Sequence, residues 1–428
     1  MSTTIIHGDC LEELKKLEDN SVDAVVCDPP YGLSNTKPQQ VADVLKAWVT
    51  GDTVSVPAKR GGFMGKDWDS FVPPPAVWEE CMRVLKPGGH MAVFAGARTQ
   101  DLMGLSIRLA GFEIRDTLGW VYGSGFPKSQ NIARQLDKTL GEDVPIGKSF
   151  NTAGGGDRES EFANNGRSEA HKQWSPMSDA AKQWDGWGTA LKPAIEPIIL
   201  ARKPLDGTVA NNVLAHGVGG LNIDACRVPT TDRWEASGVQ SAPGSSLQGS
   251  ADGSLNVSVS STHEAGRFPA NVLLDEHAAK EMDEQSGNVR GVIGMKKVSG
   301  GHNFNIGEHT PQKFNKTSGQ IKDSGGASRF FPVFKYQAKA PKRERPVIER
   351  EDGTKIQHPT VKPVALMEWL VSLIVPPGGV VLDPFAGSGT TLQAALNKGF
   401  TPIGIEQDAD YIKLIEKRLE ETCKTPKS

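Results

Sequence analysis

The chain has 428 residues, enough for one large domain with an insertion or for two to three ordinary domains, so its size permits an enzyme. A charged fraction of 23%, a hydrophobic fraction of 37% and a net charge of −3 are ordinary for a globular protein and argue against indiscriminate coating of nucleic acid, which needs a strongly basic surface. No apolar run approaches the roughly 18 residues of a membrane span, the start MSTTIIHGDC lacks the pattern of a signal peptide, and five scattered cysteines without a CxxC pair suggest neither disulfides nor zinc.

These features lead us to expect a cytoplasmic protein with reduced thiols, no metal and no membrane partner. Along residues 1–138, short β-rich runs alternate with amphipathic segments: TTIIH, a helix from Leu11 to Leu17, DAVVC, helices near 76–86 and 98–110 around HMAVF, then FEIRDTLGWVY. Such alternation predicts a parallel α/β sheet. From about 140 to 335 the composition turns to Gly, Ser, Asn and Thr, which reads as long loops, although EPIILARKPL and RFPANVLLDEHAAKEM look ordered. The last stretch returns to the first style. Leu366, Leu370 and Leu373 share a helix face, and GVVLD, a helix over about 388–398, TPIGIE and a charged helix follow. That block holds only about two strands, too few for a stable layer. One sheet built from both chain ends is therefore expected, with 1–139 as a catalytic half, 140–328 as an inserted loop-rich region and 329–428 as a cofactor half. Within 329–350, seven Lys/Arg face only Glu344 and Glu349, which suits either a nucleic-acid contact or a solvated loop.

The chemistry concentrates at strand ends. Asp28-Pro29-Pro30-Tyr31-Gly32 follows AVVC directly, where a parallel strand opens its carboxyl edge into a crevice. An arylamine nitrogen is a poor nucleophile while its lone pair is delocalised. A carboxylate from Asp28 and the Pro29 carbonyl can accept its two hydrogens and hold it near tetrahedral as positive charge develops. The prolines remove donors and stiffen the turn, and Tyr31 offers a flat face for an extruded base. A capped, Pro-rich turn with a packed Tyr is the alternative.

Asp383-Pro384-Phe385-Ala386-Gly387-Ser388-Gly389-Thr390 also follows a strand and opens a helix, a geometry in which glycines admit a ligand close to the backbone and the helix start favours a carboxylate. Glu406, 17 residues after Gly389, ends TPIGIE beside Gln407, where an acid suits ribose hydroxyls; a solvated residue at a helix start is the plain reading. Asp9, followed by Cys10, can accept from an adenine amino group or cap the helix it precedes. His358, Thr360 and Lys362 lie in HPTVKP, which offers a hydroxyl and a cation near a methionine carboxylate or simply enters a helix with Pro363 in the first turn.

Together, GD at 8–9, DPPYG at 28–32, HPTVKP at 358–363, DPFAGSGTT at 383–391 and GIE at 404–406 closely resemble the permuted beta group of DNA amino-methyltransferases. The resemblance covers about 1–138 and 329–420, and middle fragments such as GGLNIDACRV look like phage and prophage members. It implies a seven-stranded, mostly parallel Rossmann-like sheet with one antiparallel strand, S-adenosylmethionine as cofactor and double-stranded DNA as substrate. Asp28, Pro29, Pro30 and Tyr31 would form the catalytic motif. Asp28 would also border the cofactor, with Asp9 at its adenine, Glu406 and Gln407 at the ribose, and Thr360 with Thr390 at the methionine end. Cys10, His358, Lys362, Asp383, Phe385, Ala386, Gly387, Ser388 and Gly389 would complete its site. The middle would read DNA sequence. A second copy of the chain and a separate cognate restriction endonuclease are open as further partners.

Asp at the head of the tetrapeptide points to adenine N6, with cytosine N4 as the alternative; no cysteine follows a proline, which excludes cytosine C5 chemistry. A non-catalytic module that retains cofactor and DNA is a rival of a different class, and the intact DPPY speaks against it. Trp120 and Phe126 are candidates for the base pocket, with a core role favoured for both.

Overall fold

In the computed structural model, the described residues are 3–34, 36–57, 69–123, 125, 129–142, 174–230, 265–290, 324–334 and 344–424. Thirteen strands occur among them: β1 (Thr4–His7), β2 (Val22–Cys27), β3 (Leu85–Phe94), β4 (Glu113–Val121), β5 (Ile195–Arg202), β6 (Val272–Asp275), β7 (Val289–Arg290), β8 (Ser324–Gly325), β9 (Val333–Phe334), β10 (Ile348–Glu349), β11 (Lys355–Ile356), β12 (Val380–Asp383) and β13 (Thr401–Glu406). The helices are α1 (Cys10–Leu14), α2 (Pro38–Val49), α3 (Pro75–Val84), α4 (Gln100–Leu109), α5 (Ile132–Thr139), α6 (Asp179–Gln183), α7 (Val209–His216), α8 (Glu276–Ser286), α9 (Val364–Ile374), α10 (Thr390–Lys398) and α11 (Ala409–Lys424). Among the described residues, no helix is long and apolar enough to cross a membrane.

Nine strands form one sheet in the order β1-β13-β12-β2-β3-β5-β4-β6-β9, where seven were expected. Only β5 runs antiparallel to its neighbours; the other pairings are parallel. The count exceeds seven because the stretch set aside as an insertion supplies two strands of this sheet, β5 and the four-residue β6, and the block after it adds the two-residue β9. EPIILAR is a near-continuous apolar run, the signature of a strand buried on both faces, and it lies between β3 and β4.

Both chain ends contribute: β1 pairs with β13, and β2 pairs with β12 through Ala24–Val381 and Val25–Leu382. Asp23, at the start of β2, ties this junction by accepting from the Val380 N–H at 2.7 Å and from Lys86 Nζ at 2.6 Å. Alternate residues of the central strands feed two cores. Val25, Cys27, Met91, Val93, Ile199 and Ala201 pack with Trp48, Trp78 and Ile107 of α2, α3 and α4 on one face. Ala24, Val26, Ala92, Phe94, Ile198 and Leu200 pack with Leu366, Leu370 and Leu373 of α9 on the other.

From β12 the chain continues through α10 to β13 on one side, whereas from β2 it proceeds to β3 on the other. The carboxyl ends of β12 and β2 therefore flank a point at which the winding reverses, where open α/β sheets hold ligands.

Residues 124–194 form a separate compact unit between β4 and β5. Within it, buried Asp137 of α5 accepts from the N–H groups of Met177 and Ser178 and from the Ser178 hydroxyl. Trp184 and Trp187 meet edge to face at 5.0 Å and remain 39% and 59% exposed.

Candidate active site

Asp28 stands one residue beyond β2, at the reversal point. The turn that follows is held from its far side: Asp69, itself buried, accepts the N–H groups of Tyr31 at 2.7 Å and Gly32 at 3.0 Å, and the Thr99 hydroxyl donates to the Tyr31 carbonyl at 2.6 Å. Gly32 has φ +66°, and a Cβ there would come 2.8 Å from the Val72 nitrogen, so both backbone angle and space demand glycine.

Around Asp28 lies a charged cluster. The Tyr31 hydroxyl donates to Asp28 Oδ1 at 2.7 Å and accepts from Lys362 Nζ at 2.9 Å. Lys362 Nζ is also 3.3 Å from Asp28 Oδ1 and 2.7 Å from Glu196 Oε2. The ammonium lies 4.6 Å from the Phe94 ring centroid and 5.3 Å from that of Tyr31. Burial acts to lower the Lys362 pKa, but the carboxylates of Asp28 and Glu196 outweigh it and hold the amine protonated, above its ordinary value. Burial, then the same two carboxylates, pushes the Tyr31 hydroxyl well above the usual tyrosine range.

The glycine loop lies at the end of the neighbouring strand. Asp383 closes β12 and accepts the Phe385 N–H at 3.0 Å. Gly387 (φ +53°) and Gly389 (φ +77°) turn the chain into α10, and a Cβ on Gly387 would meet His358 Nε2 at 3.0 Å. Glu406, at the end of β13, accepts the N–H groups of Gly387 and Asp408, each at 2.8 Å, so its carboxylate shapes the loop. Burial raises its pKa. Buried Arg418 of α11 clamps the loop from below, donating to the carbonyls of Ser388 and Glu344 at 2.6 Å and to Gln393 Oε1 at 2.7 Å. Burial lowers the pKa of this guanidinium to about 10.

The remaining predicted residues occupy distinct places. Asp9 caps α1, accepting from the N–H groups of Leu11 and Glu12 at 3.0 and 3.3 Å. Burial, helped by Asp9, raises the Cys10 thiol to about 12 and keeps it protonated. The His358 ring makes a short hydrogen bond with the Thr360 carbonyl and meets Tyr411 edge to face at 4.7 Å; burial lowers its pKa. Thr360 is exposed, Ala386, Ser388 and Thr390 are buried, and the Gln407 carbonyl lies 3.2 Å from His7 Nε2. Phe385 packs near Trp78, with ring centroids 6.1 Å apart. Lys362 bonds the Tyr31 hydroxyl and Glu196. Trp120 is buried against Phe334, the core role. Phe126 and much of the basic run, 335–343, lie outside the described residues. Asp69, Thr99, Glu196 and Arg418 escaped the sequence reading because each is a single polar residue whose partner is remote in the chain.

Asp383 provides a pH signature. Burial raises its pKa to about 7, against the opposing effect of hydrogen bonds from the Thr391 hydroxyl and the Phe385 N–H. A folded-state pKa above the unfolded one favours folding at low pH, and this contribution is lost as pH rises from roughly 4 through 7. Asp383→Asn is therefore expected to flatten the wild-type loss of thermal stability across that window. Melting curves at pH 5 and 8 check this, and an unchanged pH difference in the variant would count against it.

A family model described as DNA methylase, covering N6 and N4 methyltransferases, matches residues 22–417. The chain belongs to the N6/N4 DNA methylase family. Among curated relatives of this family member, the type II methyltransferase M.HindIII of Haemophilus influenzae is 25% identical over 243 residues, 52% of this chain and 65% of that protein. The DNA adenine methyltransferase YhdJ of Escherichia coli is 48% identical over 63 residues, 15% of this chain and 21% of that protein. The chain thus spans just under two thirds of the first relative and about a fifth of the second. A solved structure, the PvuII DNA methyltransferase (cytosine-N4-specific), aligns over 98% of this chain and 91% of its own, at 14% identity and a TM-score of 0.43.

Proposed function

We propose that the protein is a site-specific DNA methyltransferase that moves the methyl group of S-adenosylmethionine to the exocyclic amino group, N6, of an adenine in duplex DNA. One observation carries this reading: the Asp28–Tyr31 turn and the glycine loop occupy the carboxyl ends of adjacent parallel strands, β2 and β12, at the winding reversal. The name of the YhdJ relative and the Asp at the head of the tetrapeptide support adenine.

The residues fit the cofactor. Gly387 and Gly389 present backbone where a side chain would collide, α10 offers its amino end to a carboxylate, and Glu406 stands at the end of the next strand to accept from hydroxyls. When bound, S-adenosylmethionine supplies an electrophilic methyl group on a positive sulfur. Asp28 and the Pro29 carbonyl accept the two amino hydrogens of the base and turn the nitrogen lone pair out of the ring. The protein contacts to Asp28 fall on Oδ1, so Oδ2 is the oxygen we assign to the substrate. Tyr31 stacks on the extruded base. Alignment for in-line attack contributes about 7–11 kcal/mol in favourable intramolecular models. Asp28 then stabilises the positive charge on nitrogen until the extra proton leaves to water. The unit 124–194 and the segments between β5 and β9 would read the DNA sequence.

Transfer of labelled methyl groups to unmethylated duplex DNA, followed by nucleoside analysis, tests the proposal. N6-methyladenine is the expected product; N4-methylcytosine alone would defeat the adenine assignment, and no nucleoside product would defeat the activity.

A further inference from the structure

We propose that Glu196 is a positioning residue for the methyl transfer, which draws the Lys362 ammonium off Asp28 so that this carboxylate can engage the substrate amino group. The inference rests on the function proposed above and concerns a residue of the antiparallel strand β5, outside every motif that identifies the family here.

Glu196 is the second residue of β5, and its antiparallel direction brings that amino end to the carboxyl edge where β2 finishes. The Lys362 side chain is 12% exposed and has three polar neighbours: Glu196 at 2.7 Å, the Tyr31 hydroxyl at 2.9 Å and Asp28 at 3.3 Å. The ammonium is therefore closest to Glu196 and only loosely bound to Asp28. In a partly buried setting this difference matters, because charge interactions are weakly screened and steep in distance.

The reaction places positive charge on the substrate nitrogen beside Asp28. An ammonium held tightly on Asp28 would oppose that charge and occupy a lone pair. With Glu196 ionised, the cluster of Asp28, Glu196 and Lys362 carries a net charge of −1, and the lysine has a second anion on which to rest. Without Glu196 the cluster is neutral, and Asp28 becomes the only carboxylate left to Lys362. The chain of hydrogen bonds from Lys362 through Tyr31 to Asp28 means that the same lysine also sets the tyrosine on which the base would stack.

Two variants, Glu196→Gln and Lys362→Met, and their combination test the inference, with tritiated S-adenosylmethionine and amplified, unmethylated genomic DNA as substrates. E196Q is expected to lower kcat on the order of 10- to 100-fold, with KM for the cofactor changed by less than about threefold. Removing the lysine as well should raise kcat again, because no stranded ammonium then grips Asp28. A purely structural role for Glu196 would predict a double variant at least as damaged as E196Q.

Wild-type kcat in E196Q, a loss confined to the cofactor KM, or a double variant no faster than E196Q would each overturn the inference and leave the proposed function standing. No transfer by the wild-type chain would overturn both. Should E196Q fail to fold, E196Q/K362M is compared with K362M, since neither strands a cation. Equal kcat within about threefold is expected, and a further large drop would overturn the inference.

Discussion

Asp28→Ala is expected to abolish methyl transfer to DNA, with kcat reduced by at least about 10³-fold, the upper end of the effect of deleting one preorganised electrostatic contact. The reason is local. The arylamine nitrogen becomes nucleophilic only when its hydrogens are held out of conjugation, and alanine leaves the Pro29 carbonyl as the sole acceptor of that pair. The positive charge that forms on nitrogen also loses its nearest anion. Cofactor affinity should change by only a few-fold, since the glycine loop is built from β12, α10, Glu406 and Arg418 rather than from Asp28. The fold should survive too: Lys362 keeps Glu196, and the Tyr31 and Gly32 N–H groups keep Asp69. Single-turnover transfer and calorimetric cofactor binding on one preparation separate these effects. Turnover within tenfold of wild type would remove Asp28 from its assigned role.

What could be read from the sequence was what is local. DAVVC and GVVLD announce buried parallel strands because both their faces are apolar, and the polar motif after each one marks a strand end. The 3.6-residue spacing of Leu366, Leu370 and Leu373 likewise gave α9, whose apolar face fills one core. Long-range partners were not legible. EPIILAR reads as a buried strand, yet nothing in it says that it slots between β3 and β4, or that doing so delivers Glu196 to Asp28. The strand β9, with two residues, is too short for periodicity to register, and β6 lies in a segment that reads as ordered without showing which strand it joins. Lys362 was visible within HPTVKP, but the direction of its side chain depends on packing across 331 residues of chain from Tyr31. Asp9 shows a further limit: a carboxylate at a strand-to-helix junction caps the helix whether or not it also meets a ligand.

Asp69 would never be chosen from sequence, and its replacement by alanine is expected to have the second largest effect. One buried oxygen of this residue receives two consecutive N–H groups, from Tyr31 and Gly32, in the turn that carries the reacting residues. The segment 69–72 also forms the wall against which Gly32 fits, with the Phe71 and Val72 backbone within 2.9 Å of where a Cβ would stand. Alanine leaves the buried Gly32 donor and the part-buried Tyr31 donor without that acceptor, at a cost of about 1–3 kcal/mol for a buried unsatisfied group. The turn can recover part of this only by rotating, which moves the Pro29 carbonyl and Tyr31 ring away from the base. Misplacement of about 1 Å is enough to lose roughly 100-fold in rate, so D69A should lose at least that much kcat and also melt at lower temperature. Asp69→Asn keeps an acceptor oxygen in the same place and should retain most of the activity. This ordering distinguishes a brace for the turn from a charge needed in the reaction, and D69N as inactive as D69A would point to the charge instead.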